Sequence, residues 1–278
     1  MDSCFFGKNY KHYIYQDLSY PYLYKLKITK NEGYNYSGFQ MKKSSLKYLS
    51  IKQNDYYKKC SGIFTMSKNL YNDLYEDTTL RHKIMHVGSG ANSINKPIIN
   101  SNKELSFVFI GKNFIRKSGD LVCEAYTKIK NKLPNETKLY IIGPSSIDNN
   151  YITNGIVFLG EQPYSICAEM LKKCKVFVMP SRFEAYGLVF PEALINGCIC
   201  IGNNAFEMKE FINDDNGFLV NINQNKDLAI DQLSNVMLKA INSNLLVDGN
   251  KYYDLYNWDL VASRMVDFIL KDLWGFAI

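Results

Sequence analysis

An α/β fold with a mainly parallel sheet is what the sequence predicts for residues 101–278, on three observations. Short apolar runs recur at 107–110, 139–142, 156–159, 176–179 and 198–202, each too short for a helix and closed by Gly, Pro or polar residues. Between them lie segments with helical spacing, such as Leu121, Ala125, Ile129 and Leu133 on one stripe. Strands that alternate with helices need crossover connections, and those cover a parallel sheet on both faces. A smaller α/β segment is predicted to precede this half.

In order, a strand over 105–111 is followed by a helix from Gly119 to about Leu133, closed by Pro134. Strands at 138–143 and 156–159 come next, then a helix over 164–174. After the strand ending at Met179 and a helix over 188–195, a strand at 198–202 and a short helix at 207–212 are expected. Asp214-Asp215-Asn216-Gly217 reads as a turn, after which helices dominate, over 228–241, 248–256 and 260–273. In the front half, 13–15, 62–66 and 83–87 read as strands. Helices are expected after Asp17 or Ser19, over 45–59, and after a Ser67 cap as far as Tyr75. Ligands of such sheets bind beyond the carboxyl ends of the strands, so the loops at 111–119, 143–148, 160–163 and 181–188 converge on one candidate site.

The most informative stretch runs from Lys175 to Cys198, KVFVMPSRFEAYGLVFPEALINGC. A buried strand, a Gly-containing loop and a helix start make an anion site, because the first helical N–H groups lack partners and the dipole is positive there. Pro191 is tolerable only in the first turn of that helix. Two carboxylates, Glu184 and Glu192, bracket the turn with seven residues between them. A Glu in a first turn gains about 0.3–1 kcal/mol from the dipole with no ligand at all, so Glu192 alone decides little. Acidic groups beside an anion site suit a ligand that carries hydroxyls next to its phosphates, such as a nucleotide-sugar.

These residues carry a resemblance. Pro180-Ser181, Glu184, Gly187-Leu188, Pro191-Glu192-Ala193-Leu194 and Gly197 resemble the signature of retaining glycosyltransferases of the two-Rossmann-domain type, the glycosyl transferases group 1 family. Flanking segments match in the same order. Phe107 to Gly111, Lys112 and Lys117-Ser118-Gly119 resemble its basic phosphate-binding loop. Leu139 to Pro144 and Ile156 to Gly160 resemble its next strands, and Tyr256-Asn257-Trp258 its C-terminal ending. The resemblance implies a Rossmann-like, nucleotide-sugar-binding domain over 101–278, whose last helix (about 258–273) packs back on the N-terminal part. It also implies that residues 1–100 are a partial N-terminal α/β domain on the acceptor side, since the family's first strand and Gly-rich loop have no counterpart here.

For the site, the resemblance implies that Glu184 lies near the sugar hydroxyls as the catalytic carboxylate, and that Glu192 holds the ribose hydroxyls. Lys112 and Lys117 reach the diphosphate, and the backbone N–H groups of Gly187, Leu188 and Val189 complete its cradle. Lys112 stands where the family usually has Arg, which turns a fork-like contact into a point charge. Glu161 is placed to line the base pocket. Arg182 is open between orienting Glu184, touching phosphate, and a surface ion pair. Retention of configuration and a site without metal are implied; no D-x-D occurs in the chain. No cofactor is expected beyond the donor substrate, a UDP- or GDP-hexose. The donor contacts of Asn203-Asn204-Ala205-Phe206 are left open. Glu192 and Lys117 are expected to be replaceable without unfolding, as loop or helix-start residues.

Composition bounds the rest. At 278 residues, 46% hydrophobic and 22% charged, the chain is of ordinary globular type. Residues 1–104 hold 16 Lys and Arg against 8 Asp and Glu, and the remainder 17 against 19. The basic front half could face an acidic acceptor or an anionic lipid, with a peripheral membrane contact, but a solvated lysine surface is the simpler explanation. A nucleic-acid partner is not expected. Seven cysteines without a secretory leader suggest reduced thiols and a cytoplasmic location. No G-x-G-x-x-G or Walker loop is present, and His12, His82 and His86 are scattered.

Two function classes follow. One is a hexosyltransferase that moves a sugar from a nucleotide-diphosphate donor to a glycan, lipid or protein acceptor. The other is a donor-binding fragment, or a subunit whose partner chain supplies the remaining N-terminal half, with no independent transfer. An epimerase on the same architecture would need acid–base residues in the front half that are not identified.

Overall fold

The computed structural model describes residues 10–92, 103–223 and 225–274, and the chain divides into two compact units. Cys4 and the expected domain boundary at 100/101 lie outside the described residues. Residues 10–31, 40–89 and 258–274 make up the described part of the first unit; 32–39 belong to the second with 90–257.

In the first unit, β1 (Tyr13–Gln16), α1 (Tyr20–Ile28), α2 (Lys43–Lys59), β2 (Gly62–Thr65), α3 (Lys68–Tyr75) and β3 (Ile84–His86) follow in order. The three strands form a parallel sheet in the order β1-β2-β3. Ser19 and Ser67 cap α1 and α3 by accepting from the N–H groups of Tyr22 and Leu70, each at 3.1 Å. Strand alternation sorts the core: Ile63 packs with Tyr57, Leu70, Leu74 and Leu80, while Phe64 packs with Val87 and Val261.

The second unit continues with β4 (Glu104–Ile110), α4 (Gly119–Ile129), β5 (Leu139–Ile142), β6 (Ile156–Gly160), α5 (Tyr164–Lys173), β7 (Cys174–Val178), α6 (Val189–Ile195), β8 (Ile199–Asn203), α7 (Met208–Phe211), β9 (Gly217–Val220), α8 (Lys226–Asn242) and α9 (Gly249–Leu255). The last helix, α10 (Trp258–Trp274), lies in the first unit, where Val261, Met265, Phe268 and Ile269 join the core around Phe64.

Six parallel strands in the order β6-β5-β4-β7-β8-β9 make the second sheet. Its faces are covered by different helices. Phe107 of β4 meets Tyr126 of α4, whereas Phe177, on the opposite face in the β4–β7 register, meets Phe190 of α6. Phe107, Phe109, Ile141, Val176, Phe177 and Ile201 are fully buried in the centre. This is the Rossmann-like parallel sheet that the sequence predicts.

One element departs from expectation. β9 occupies 217–220, where the sequence reads as a turn leading to helices. The turn is real but ends a residue earlier: Asn213 and Asn216 close it, and Gly217 begins the strand. A Cβ on Gly217 would stand 2.1 Å from the Cys200 carbonyl oxygen, so only glycine admits β9 at this distance. No helix among the described residues is long and apolar enough to cross a membrane.

Candidate functional site

β4 and β7 are sheet neighbours although α4, β5, β6 and α5 separate them in the chain, so their following loops part at a topological switch point. Residues 111–118 follow β4 and residues 179–188 follow β7, and both leave from the carboxyl edge of the sheet.

Lys117 and Glu184 meet there. The Lys117 ammonium donates to Glu184 Oε2, and both side chains are about nine-tenths buried. Ser181 Oγ donates to the same carboxylate oxygen at 3.3 Å, and Asn203 Nδ2 fixes Ser181 by donating to its carbonyl at 3.1 Å. The loop that carries Lys117 is tightly wound: Gly119 N–H donates to Phe114 O at 2.8 Å, and Ser118 sits at φ +62°. Its hydroxyl is buried without a hydrogen-bond partner.

The turn into α6 has the expected form. Gly187 adopts φ +98°, and the first backbone bonds run from Phe190 N–H to Gly187 O and from Glu192 N–H to Leu188 O. The N–H groups of Gly187, Leu188 and Val189 have no acceptor among the described residues. Pro191 falls in the first turn, where its missing N–H costs nothing.

Glu192 has a different neighbour. Asn92 Nδ2 donates to Glu192 Oε1 at 3.0 Å. Burial raises the Glu192 carboxyl above its ordinary range, and the Asn92 contact opposes that shift. Tyr164 and Cys167 on α5 feel the same charge; burial and then Glu192 push the Tyr164 hydroxyl up to about 12.

Lys112 and Glu161, after β4 and β6, form an exposed pair at 3.7 Å at the same edge. Arg182 does not pair with Glu184. Its guanidinium grips Asp120 in bidentate fashion, at 2.6 and 2.8 Å, so the expected choice among Glu184, phosphate and a surface pair resolves to a mostly buried pair with a different acid. After β8, Phe206 adopts φ +55° and packs edge-on against Phe183.

A cavity of about 700 Å³ opens at the other end of this sheet, lined by Lys103, Lys175, Ile199 and Leu246. Lys103 donates to the carbonyls of Leu171 and Cys174, and Lys175 to those of Ile241 and Ser243. Both ammonium groups therefore close helix ends there.

The family model for glycosyl transferases group 1 matches residues 92–244, more than half of the chain and every element that carries the site. The chain belongs to the glycosyl transferases group 1 family.

As a group 1 glycosyltransferase it is 26% identical over 204 residues to an uncharacterized glycosyltransferase of Methanocaldococcus jannaschii, covering 71% of this chain and 56% of that one. The pneumococcal O-GlcNAc transferase GtfA, solved in complex with UDP and GlcNAc, superposes with a TM-score of 0.63 at 18% identity over 78% of this chain and 46% of its own. The sucrose-phosphate synthase of Thermosynechococcus elongatus gives 0.67 at 15% identity, over 94% of this chain and 68% of its own. These likenesses show the fold. The chain spans about half the length of the curated relative it matches and of GtfA.

Within this group 1 unit the geometry adds residues that sequence reasoning had not placed at the site. Asn92 had a signal, the Gly90-Ala91-Asn92 turn after a strand. Asp120, which pairs with Arg182, and Tyr36, whose ring centroid lies 5.2 Å from the Arg182 guanidinium carbon, had none, because contacts with Arg182 could be found only in three dimensions.

Proposed function

We propose that this group 1 glycosyltransferase binds a nucleotide-diphosphate sugar at the carboxyl edge of the β4–β9 sheet and moves its hexose to an acceptor hydroxyl with retention of configuration. The observation that carries the reading is the buried Lys117–Glu184 contact at the switch point. It joins the lysine assigned to the diphosphate with the carboxylate assigned to the sugar.

Breaking the bond from the anomeric carbon to the diphosphate puts negative charge on the leaving group and positive charge on the ring. Fixed groups aimed at those charges lower the barrier. In this reading, Lys117 and Lys112 face the diphosphate, and the N–H groups of Gly187, Leu188 and Val189 add three donors to it. Glu184 faces the sugar hydroxyls, Glu192 the ribose hydroxyls, and Glu161 the base. Donor entry replaces Glu184 by phosphate as the partner of Lys117, and Asn92 by ribose as a partner of Glu192. Lysines and N–H dipoles carry the leaving charge, so the proposed site needs no metal. The complex of GtfA with UDP and GlcNAc supports a nucleotide-linked donor.

A second reading has its own support. The candidate residues all lie in the second unit, and the chain spans 56% of its curated relative. Donor binding without independent transfer, completed by a partner chain, fits these facts too. On the acceptor side, the exposed face of α2 offers Lys43, Lys47, Lys52, Lys58 and Lys59 with Tyr48, Ile51 and Tyr56, which suits an anionic acceptor or membrane surface.

The test is a thermal-shift screen of UDP-, GDP- and ADP-sugars, followed by sugar-release and transfer assays with the best binder. A shift with turnover supports the transferase, a shift without turnover supports the binding unit, and no shift with any donor defeats both.

A further inference from the structure

We propose that the segment 32–39, remote in sequence from the signature, is a positioning element of the donor site: through Tyr36 and Gly33 it holds Arg182, and through Arg182 it sets the loop that bears Glu184. The inference rests on the donor reading above and extends it to residues that the family signature does not contain.

Arg182 is bound on every side. Its guanidinium forks onto Asp120, its Nη1 also donates to the Ile115 carbonyl, and its main-chain N–H donates to Arg116 O at 2.9 Å. The Tyr36 ring covers its free face, with the guanidinium carbon 5.2 Å from the ring centroid. Arg182–Asp120 and Glu184–Lys117 are thus two rungs between the loop after β7 and the stretch from Lys117 into the first turn of α4. One lies two residues from Glu184 on one strand of the ladder, and three residues from Lys117 on the other.

The segment is fixed against the other side of this loop. It forms a closed turn in which Ser37 Oγ donates to Tyr34 O at 2.8 Å and the Tyr34 hydroxyl donates to Phe39 O. Gly33 presses on the main chain of the loop: a Cβ there would fall 2.9 Å from Arg182 O and 2.3 Å from the Phe206 ring. Phe206 is itself held in a left-handed conformation and packs on Phe183, the residue between Arg182 and Glu184. A side chain at position 33 would therefore move the Arg182–Glu184 stretch, while Tyr36 controls whether the guanidinium stays in its fork. Lateral errors of an ångström at a reacting group reduce rate steeply, which gives a remote segment influence over the site.

The experiment uses the full chain and whichever of UDP-glucose, UDP-N-acetylglucosamine, GDP-mannose and ADP-glucose binds it best. Gly33→Ala, Tyr36→Leu and Tyr36→Phe are compared with Arg182→Lys and with Glu184→Gln, alone and combined with Tyr36→Leu. Tyr36→Phe keeps the ring and should match the parent. Gly33→Ala, Tyr36→Leu and Arg182→Lys should remain folded and weaken donor binding by about tenfold, as expected when positioning rather than contact is lost. In the Glu184→Gln background, Tyr36→Leu should add little, because the two act in series; a purely structural role would give additive losses. Unchanged donor affinity in folded Gly33→Ala and Tyr36→Leu, or additive losses in the double variant, would overturn the proposal. If Lys117→Met abolishes binding while these variants bind as the parent does, only this inference fails; if none of the four sugars binds the parent chain, the donor reading fails and takes the inference with it.

Discussion

The Lys117 ammonium and the Glu184 carboxylate touch across the loops that follow β4 and β7, both buried, with Ser181 as a third partner of the same oxygen. A lone buried charge is far more costly than a buried pair. The pair thus leaves neither charge alone in the interior, and under the proposed function an entering diphosphate competes with Glu184 for the same ammonium.

The first prediction concerns that pair. The sequence predicts that a Lys117 variant stays folded, as a loop residue; its burial against Glu184 adds a cost in stability that the sequence does not show. Lys117→Ala or Glu184→Ala should each cost about 3 kcal/mol in urea unfolding, because each strands a buried charge. The double change Lys117→Met/Glu184→Gln should recover most of that loss while leaving donor binding abolished.

Glu192 supplies a pH dependence. Its carboxyl is raised above the ordinary value of 4.5, first by burial and against the Asn92 hydrogen bond. A group whose folded value is raised contributes stability that is present in full below 4.5 and is lost as pH rises through the raised value. Glu192→Gln should flatten the stability profile in that window. Donor affinity should run the opposite way in the parent, rising with pH through the same window, since sugar hydroxyls donate to the ionised form. Titration of donor affinity by calorimetry at several pH values reads this directly.

Ser118 carries two local costs, a left-handed backbone at φ +62° and a buried hydroxyl without a partner. Ser118→Gly removes both, against the extra chain entropy that glycine loses on folding. The net gain should be about 1 kcal/mol, read as a higher unfolding midpoint in urea with an unchanged slope.

At Gly187 the same backbone requirement is joined by a close approach. With φ +98° and a would-be Cβ 3.0 Å from Glu184 Cγ, Gly187→Ala should cost about 1–2 kcal/mol and push the Glu184 carboxylate off Lys117. Donor binding should fall further than stability does.

Lys112 tests the exposed end of the site. Its pair with Glu161 is open to solvent, so Lys112→Ala should change stability by less than about 0.5 kcal/mol. Donor affinity should still fall, and the loss should shrink as salt is raised.

Much of this was legible in the sequence because the second sheet's strands are short apolar runs bounded by Gly, Pro or polar residues, a pattern that survives without tertiary information. β9 was not, since Phe218-Leu219-Val220 is too brief a run beside a strong Asp-Asp-Asn-Gly turn signal. The convergence of Glu184, Lys117 and Gly187 at one edge of the sheet was readable from motif order. The partners of Arg182 were not: Asp120 looks like any acidic residue in a helix first turn, and Tyr36 lies in a tyrosine-rich stretch with no periodicity. Burial was the other blind spot, since nothing in a loop sequence says that Lys117 and Glu192 are both enclosed.

Calorimetric titration of nucleotide sugars into the parent chain and into Lys117→Met/Glu184→Gln tests the central claim most directly. The account predicts saturable binding of at least one UDP- or GDP-sugar by the parent and none by the folded double variant. Equal binding by the two proteins would contradict it.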